Sequence, residues 1–185
     1  MQPKERVGPS TDRSRPLLMV DIDGVISLFG AAPAVSGRRP AADGSFHSID
    51  GIPHFLSSAA AAHLLALQAS FELVWASGWE EKANEYLPHL LGLPVLPYLR
   101  FAAGVQGTRE TKGHWKLESI DAYAAGRALA WIDDSLGPAC EDWAAARTAP
   151  TLLVQTVPEN GLTAREAQLL ANWAAERSQA PAAAG

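Results

Sequence analysis

Residues 17–27 read Leu-Leu-Met-Val-Asp-Ile-Asp-Gly-Val-Ile-Ser, and the fold turns on how this stretch is read. An apolar run stops at Asp21, takes one apolar residue, reaches Asp23 and turns at Gly24. A short apolar run closed by a glycine turn predicts a buried strand. Acids at the end of such a strand are costly unless something compensates them. In an open α/β sheet, ligands bind outside the carboxyl ends of the strands, so that is where polar residues would have work to do.

Other runs repeat the arrangement. FELVWAS ends in Ser77 and is followed by Gly78, and ALAWIDDS ends in Asp133 and Asp134. Apolar runs, including VLPYLRF and TLLVQTV, alternate with stretches at helical period such as AAAAHLLALQA, EEKANEYLPHLL and TAREAQLLANWAAER. That alternation predicts an α/β three-layer sandwich around a central parallel sheet of about five strands. Between the first strand and the first helix lie about thirty residues rich in Gly and Pro, long for a connection in a compact domain. The alternating run SFHSID followed by Asp50-Gly51 predicts a hairpin or flap over about 43–56. His47 and His54 fall in it as candidate substrate contacts.

The totals set bounds. A chain of 185 residues holds one well-filled domain, expected over 16–177, with polar tails at 1–15 and 178–185. A net charge of −5 gives no general attraction to nucleic acid or anionic membrane, so any such contact is local. Cys140 is the only cysteine, which excludes an intrachain disulfide and a zinc site of several thiolates. With no apolar span of about 18 residues and no secretory h-region, the expectation is a cytoplasmic protein without membrane contact. No obligate protein partner is evident.

Gathered at one sheet edge, Asp21, Asp23, Asp133 and Asp134 repel one another, and a hard divalent cation with oxygen ligands, usually Mg²⁺, relieves that repulsion. Mg²⁺ bridges phosphate oxygens, while a hydroxyl, a Lys ammonium and backbone N–H groups at a Gly turn can hold the rest. A phosphorylated substrate, a small molecule or a nucleic-acid end, follows as the guest.

At these residues the chain resembles the haloacid dehalogenase (HAD) superfamily. DIDGV is similar to its first motif, Ser77 in LVWASGW to the second, a helix-start lysine to the third and LAWIDDS to the fourth, all in the family's order. The resemblance implies a Mg²⁺-dependent phosphatase working through an aspartyl-phosphate. Asp21 would be the nucleophile, and Asp23 the acid and then the base, with its backbone carbonyl facing the metal. Asp133 and Asp134 would complete the metal site; Ser77, Gly78, Lys116 and the Ile22–Gly24 turn would hold phosphate. The motif lysine is either Lys116 or Lys112, with Lys116 favoured because it sits within the apolar periodicity of HWKLESI. The insert after the first strand is too short for a helical cap, which resembles the capless members. The ending VPENGLTAREAQLLANWA resembles, more loosely, HAD-like domains associated with RNA-repair proteins. A rival reading is a non-catalytic module that keeps the acids to bind metal or phosphate. A dinucleotide-binding enzyme is disfavoured because no Gly-x-Gly-x-x-Gly turn follows the first strand.

Overall fold

The computed structural model describes residues 15–28, 43–101 and 114–179. Lys112 and both outer tails lie outside the described residues, apart from Arg15 and the end of the last helix. Strands β1 (Leu17–Val20), β5 (Glu72–Trp75), β6 (Leu129–Asp133) and β7 (Thr151–Gln155) form one parallel sheet in the order β5-β1-β6-β7. Their residues alternate between two cores. Leu18 and Val20 face one side with Leu73, Trp75 and Ile132. Leu17 and Met19 face the other with Val74, Leu129 and Trp131.

Helices cover both faces. Against the first lie α1 (Ser58–Leu67), α2 (Lys82–Leu91) and α5 (Ala164–Gln179), through residues such as Leu64, Leu87 and Leu170. Against the second lie α3 (Leu117–Ala124) and α4 (Pro138–Ala146), through Ile120, Ala124 and Cys140. With both sides of the sheet apolar, the strands read as continuous hydrophobic runs, as buried parallel strands do. Helix α5 takes in Ser178 and Gln179, two residues beyond the boundary drawn from sequence.

Among the described residues the sheet has four strands where the sequence suggests about five. VLPYLRF supplies only a single parallel bridge, Tyr98 to Trp75 at the outer edge of β5. Pro94 and Pro97 have no N–H to give a ladder, which stops the run from becoming a strand. Asn84 on α2 holds the segment in place, its Nδ2 donating to the Leu96 carbonyl (2.7 Å) and its Oδ1 accepting from the Leu96 N–H (3.0 Å).

A second sheet, in the order β2-β4-β3, is built from the stretch after β1: β2 (Ser27–Leu28), β3 (Gly44–Ile49) and β4 (Ile52–Ser57). β3 and β4 are an antiparallel hairpin whose two-residue turn, Asp50-Gly51, has φ of 52° and 80°. Both values lie in the left-handed region that such tight turns demand and that Asp-Gly tolerates. Lys82 and Tyr86 of α2 donate to the Asp50 carboxylate and tie the tip down. No described helix is long and apolar enough to cross a membrane.

Candidate active site

β1 lies between β5 and β6. The chain crosses to one side of β1 to reach β5 and to the other to reach β6, so the carboxyl end of β1 is a topological switch point, where open α/β sheets open a crevice. A cavity of about 240 Å³ opens there, lined among others by Asp21, Asp23, Ser77, Lys116, Asp133 and Asp134. Three strand ends and the start of α3 therefore deliver residues that are far apart in sequence.

Lys116 occupies the N-cap position of α3, and its side chain is almost wholly buried. Its Nζ lies 2.9 Å from Asp21 Oδ1 and 2.7 Å from Asp133 Oδ2. Asp133 is held further: its Oδ2 also accepts from Trp131 Nε1 (3.1 Å), and its Oδ1 accepts from the Ser135 N–H (2.9 Å). Asp21, Asp133 and Asp134 each offer a carboxylate oxygen within 4.8 Å of the others. Among the described residues, one ammonium faces these three carboxyl groups. Burial pushes the Asp21 carboxyl up to about 7, against the pull of Lys116, with Asp133 adding to the rise. Asp134 is also raised, by burial and then by Asp133. Among the described residues of the crevice carboxylates outnumber ammonium groups, which fits a hard divalent cation, and oxygen is the donor such a cation takes.

The Asp23 side chain stands outside that trio. It is half-buried, and its Oδ2 accepts from Trp79 Nε1 at 2.9 Å. Ser77, buried at the end of β5, lines the cavity with Gly78; its Oγ accepts weakly from the Trp79 N–H at 3.5 Å, and α2 starts only at Lys82. Ile22 directs its carbonyl back to the Ile26 and Ser27 N–H groups, closing the turn after β1.

Gly24, at φ 72°, completes that turn, and a Cβ there would lie 2.4 Å from Asp134 Oδ2 and 2.6 Å from Asp134 Cβ. The glycine is thus required both by backbone conformation and by the acid beside it. Gly24→Ala is expected to add about 1–2 kcal/mol of left-handed strain and to displace Asp134. Calorimetric Mg²⁺ titration should show weakened binding, and unchanged affinity would mean that Asp134 is no ligand.

Two supporting residues escaped the sequence reading. Thr156, just past β7, donates from Oγ1 to the Gly24 carbonyl at 2.8 Å, and Trp131 braces Asp133 from within β6. Neither belongs to a local motif. The alternation that puts Trp131 two residues before Asp133, on the same side of the strand, is the one signal available. Of the hairpin histidines, His54 reaches the rim of the site through Trp79, whereas His47 bonds Ser45 on its own strand.

A search of curated proteins finds no match. The model of the HAD domain in Swiss Army Knife RNA repair proteins matches residues 17–167, from the first residue of β1 into α5, and so takes in every residue of the crevice. The superfamily is one of hydrolases and phosphatases. On this match and this architecture, the chain belongs to the family of HAD domains found in Swiss Army Knife RNA repair proteins.

Proposed function

We propose that the domain is a Mg²⁺-dependent phosphomonoesterase that works through a phosphorylated Asp21 and acts on the phosphate end of a nucleotide or nucleic acid, RNA foremost. The observation that carries this reading is Lys116 seated between Asp21 and Asp133, 2.9 and 2.7 Å away, in a crevice that keeps an excess of carboxylate. A structural salt bridge would pair one acid with one base. Here a buried ammonium touches two acids while a third stands beside them, an arrangement suited to a dianionic phosphate and a metal.

Asp21, Asp133 and Asp134 would hold the cation. When bound, it supplies positive charge that keeps the acids ionised together and draws charge from the phosphoryl oxygens. Asp21 attacks phosphorus from the end of β1, and Lys116 neutralises charge on both nucleophile and phosphoryl group. Ser77 Oγ and the backbone around Gly24 and Gly78 hold the remaining oxygens. Asp23 gives a proton to the leaving oxygen, then takes one from the water that releases phosphate from Asp21. A cavity of about 240 Å³ among the described residues is smaller than the roughly 300–1,000 Å³ of sites that engulf a whole small molecule, which suits the reacting end of a substrate. This favours a long substrate presented by its terminus, in keeping with the family's association with RNA repair.

The test is a comparison of 5′- and 3′-phosphorylated oligoribonucleotides, nucleoside monophosphates and an aryl phosphate, with Mg²⁺ and with chelator, followed by acid quench. Mg²⁺-dependent release of phosphate and a phosphoryl adduct on the peptide carrying Asp21 are expected. Hydrolysis without that adduct would remove the covalent step. Asp23→Asn should slow turnover by about 10²–10⁴-fold yet leave calorimetric Mg²⁺ binding intact, because its side chain is outside the acid trio. Lost metal binding would reassign Asp23 as a side-chain ligand.

A further inference from the structure

We infer that Trp79 is a positioning residue for Asp23, and that through His54 it makes the hairpin part of the acid/base device. The inference rests on the phosphatase reading above and deepens it. An indole N–H can only donate. With Trp79 Nε1 at 2.9 Å from Asp23 Oδ2, that oxygen is held as an acceptor whether the carboxyl is charged or neutral. The exchangeable proton is thereby confined to Oδ1, and the two-fold choice a free carboxyl would have is removed.

The indole is itself fixed from two sides. From its own chain, it follows Ser77-Gly78 in a turn closed by the Glu80 N–H to the Ser77 carbonyl (3.0 Å), and its carbonyl accepts from the Lys82 N–H (3.0 Å). From the hairpin, the His54 ring packs against it edge to face, with centroids 5.0 Å apart and planes at 74°. His54 is anchored in turn by a hydrogen bond of 2.8 Å between its Nδ1 and Ser27 Oγ. Ser27 pairs with Leu56, so β2 and β4 brace the histidine together. A relay runs from hairpin to indole to acid, and no sequence motif names its middle member. The plainer alternative is that a rim tryptophan has found the nearest acceptor. That alternative predicts no dependence on the leaving group.

In the first half-reaction the bond from Asp21 oxygen to phosphorus forms as the ester P–O bond breaks, and the proton on Asp23 Oδ1 passes to the departing oxygen, giving an alcohol. In the second, water attacks phosphorus, its proton returns to Asp23 and the Asp21–phosphorus bond breaks, giving inorganic phosphate. Only the first transfer depends on the leaving group. An aryl phosphate with an acidic phenol departs with little help, whereas an alkyl phosphate needs the acid in place.

The experiment compares the full chain and its Trp79→Phe variant, with Mg²⁺, on p-nitrophenyl phosphate and on glycerol 2-phosphate. Phenylalanine keeps a ring against His54 and removes the N–H. The expected result is a fall in kcat of about 10–100-fold on the alkyl ester, about threefold on the aryl ester, and little change in KM on either. His54→Ala should follow the same pattern with smaller factors, and it carries the comparison if Trp79→Phe shows no cooperative thermal unfolding. Equal losses on both esters, or none, would reduce Trp79 to packing and overturn the inference while leaving the phosphatase intact. A wild-type protein that hydrolyses neither ester nor a phosphate-ended oligoribonucleotide would instead overturn the phosphatase reading, and this inference with it; where only the oligoribonucleotide is hydrolysed, it takes the place of the alkyl ester, and an undiminished kcat of Trp79→Phe on it would overturn the inference alone.

Discussion

Asp21→Asn is expected to remove turnover, by about 10⁴–10⁶-fold, the scale at which a covalent nucleophile is lost. The substitution hardly changes side-chain volume and takes away a charge that burial already disfavours, so the fold should survive. Metal-free thermal stability should match or exceed the wild type's, because the desolvation that pushes Asp21 to about 7 no longer opposes folding above that pH. The measurement is single-turnover hydrolysis of an aryl phosphate beside a thermal melt. Wild-type-like turnover with an intact melt would end the assignment of Asp21 as the nucleophile.

Lys116→Met should damage activity and stability together. Methionine fills much the same space but leaves Asp21 and Asp133 facing each other without the ammonium, and breaking a buried pair in this way costs about 3–5 kcal/mol when the orphaned charge cannot escape. Here it can escape, by protonation. Asp21 already titrates near 7 instead of 3.8, and without Lys116 it rises further. A carboxyl raised in the folded state contributes stability that is fully present below its unfolded value and lost as pH climbs through the folded one. The deficit of Lys116→Met against wild type should therefore be small near about pH 4 and widen through and beyond about pH 7. Melts of both proteins in chelator across that range check it. A deficit independent of pH would mean that Lys116 acts by packing alone.

What the sequence disclosed were the residues whose chemistry contradicts their surroundings. Asp21, Ser77 and Asp133 are polar groups at the ends of apolar runs, and a parallel sheet brings such ends together whatever its strand order. Lys116 was legible for a similar reason, as a charge within helical apolar period. Strand count was harder, because VLPYLRF has a strand's composition and only Pro94 and Pro97 forbid the ladder. β2 is two residues long and exists through its pairing with β4, so no local pattern announces it. Trp79 could not be read as a partner of Asp23, since that hydrogen bond spans 56 positions and depends on how β1 and β5 lie side by side. Thr156 escaped for the same reason, reaching Gly24 across 132 positions.

The interrupted run beside β5 also bears on how the molecule behaves in a crowd. A parallel sheet with a bare edge is a template for another chain's strand, and proteins blunt such edges with proline or a covering segment. Here both devices fall in one place. Trp75 spends its N–H on the Pro97 carbonyl and its own carbonyl on the Leu99 N–H, each at 2.9 Å, so the rim of β5 is satisfied at its carboxyl end. The segment that satisfies it carries prolines at positions 94 and 97 and presents no ladder of its own for the next strand to read. At that end of β5 the edge is thus closed by the chain's own proline-bearing segment, while the carboxyl end of β1 beside it stays open.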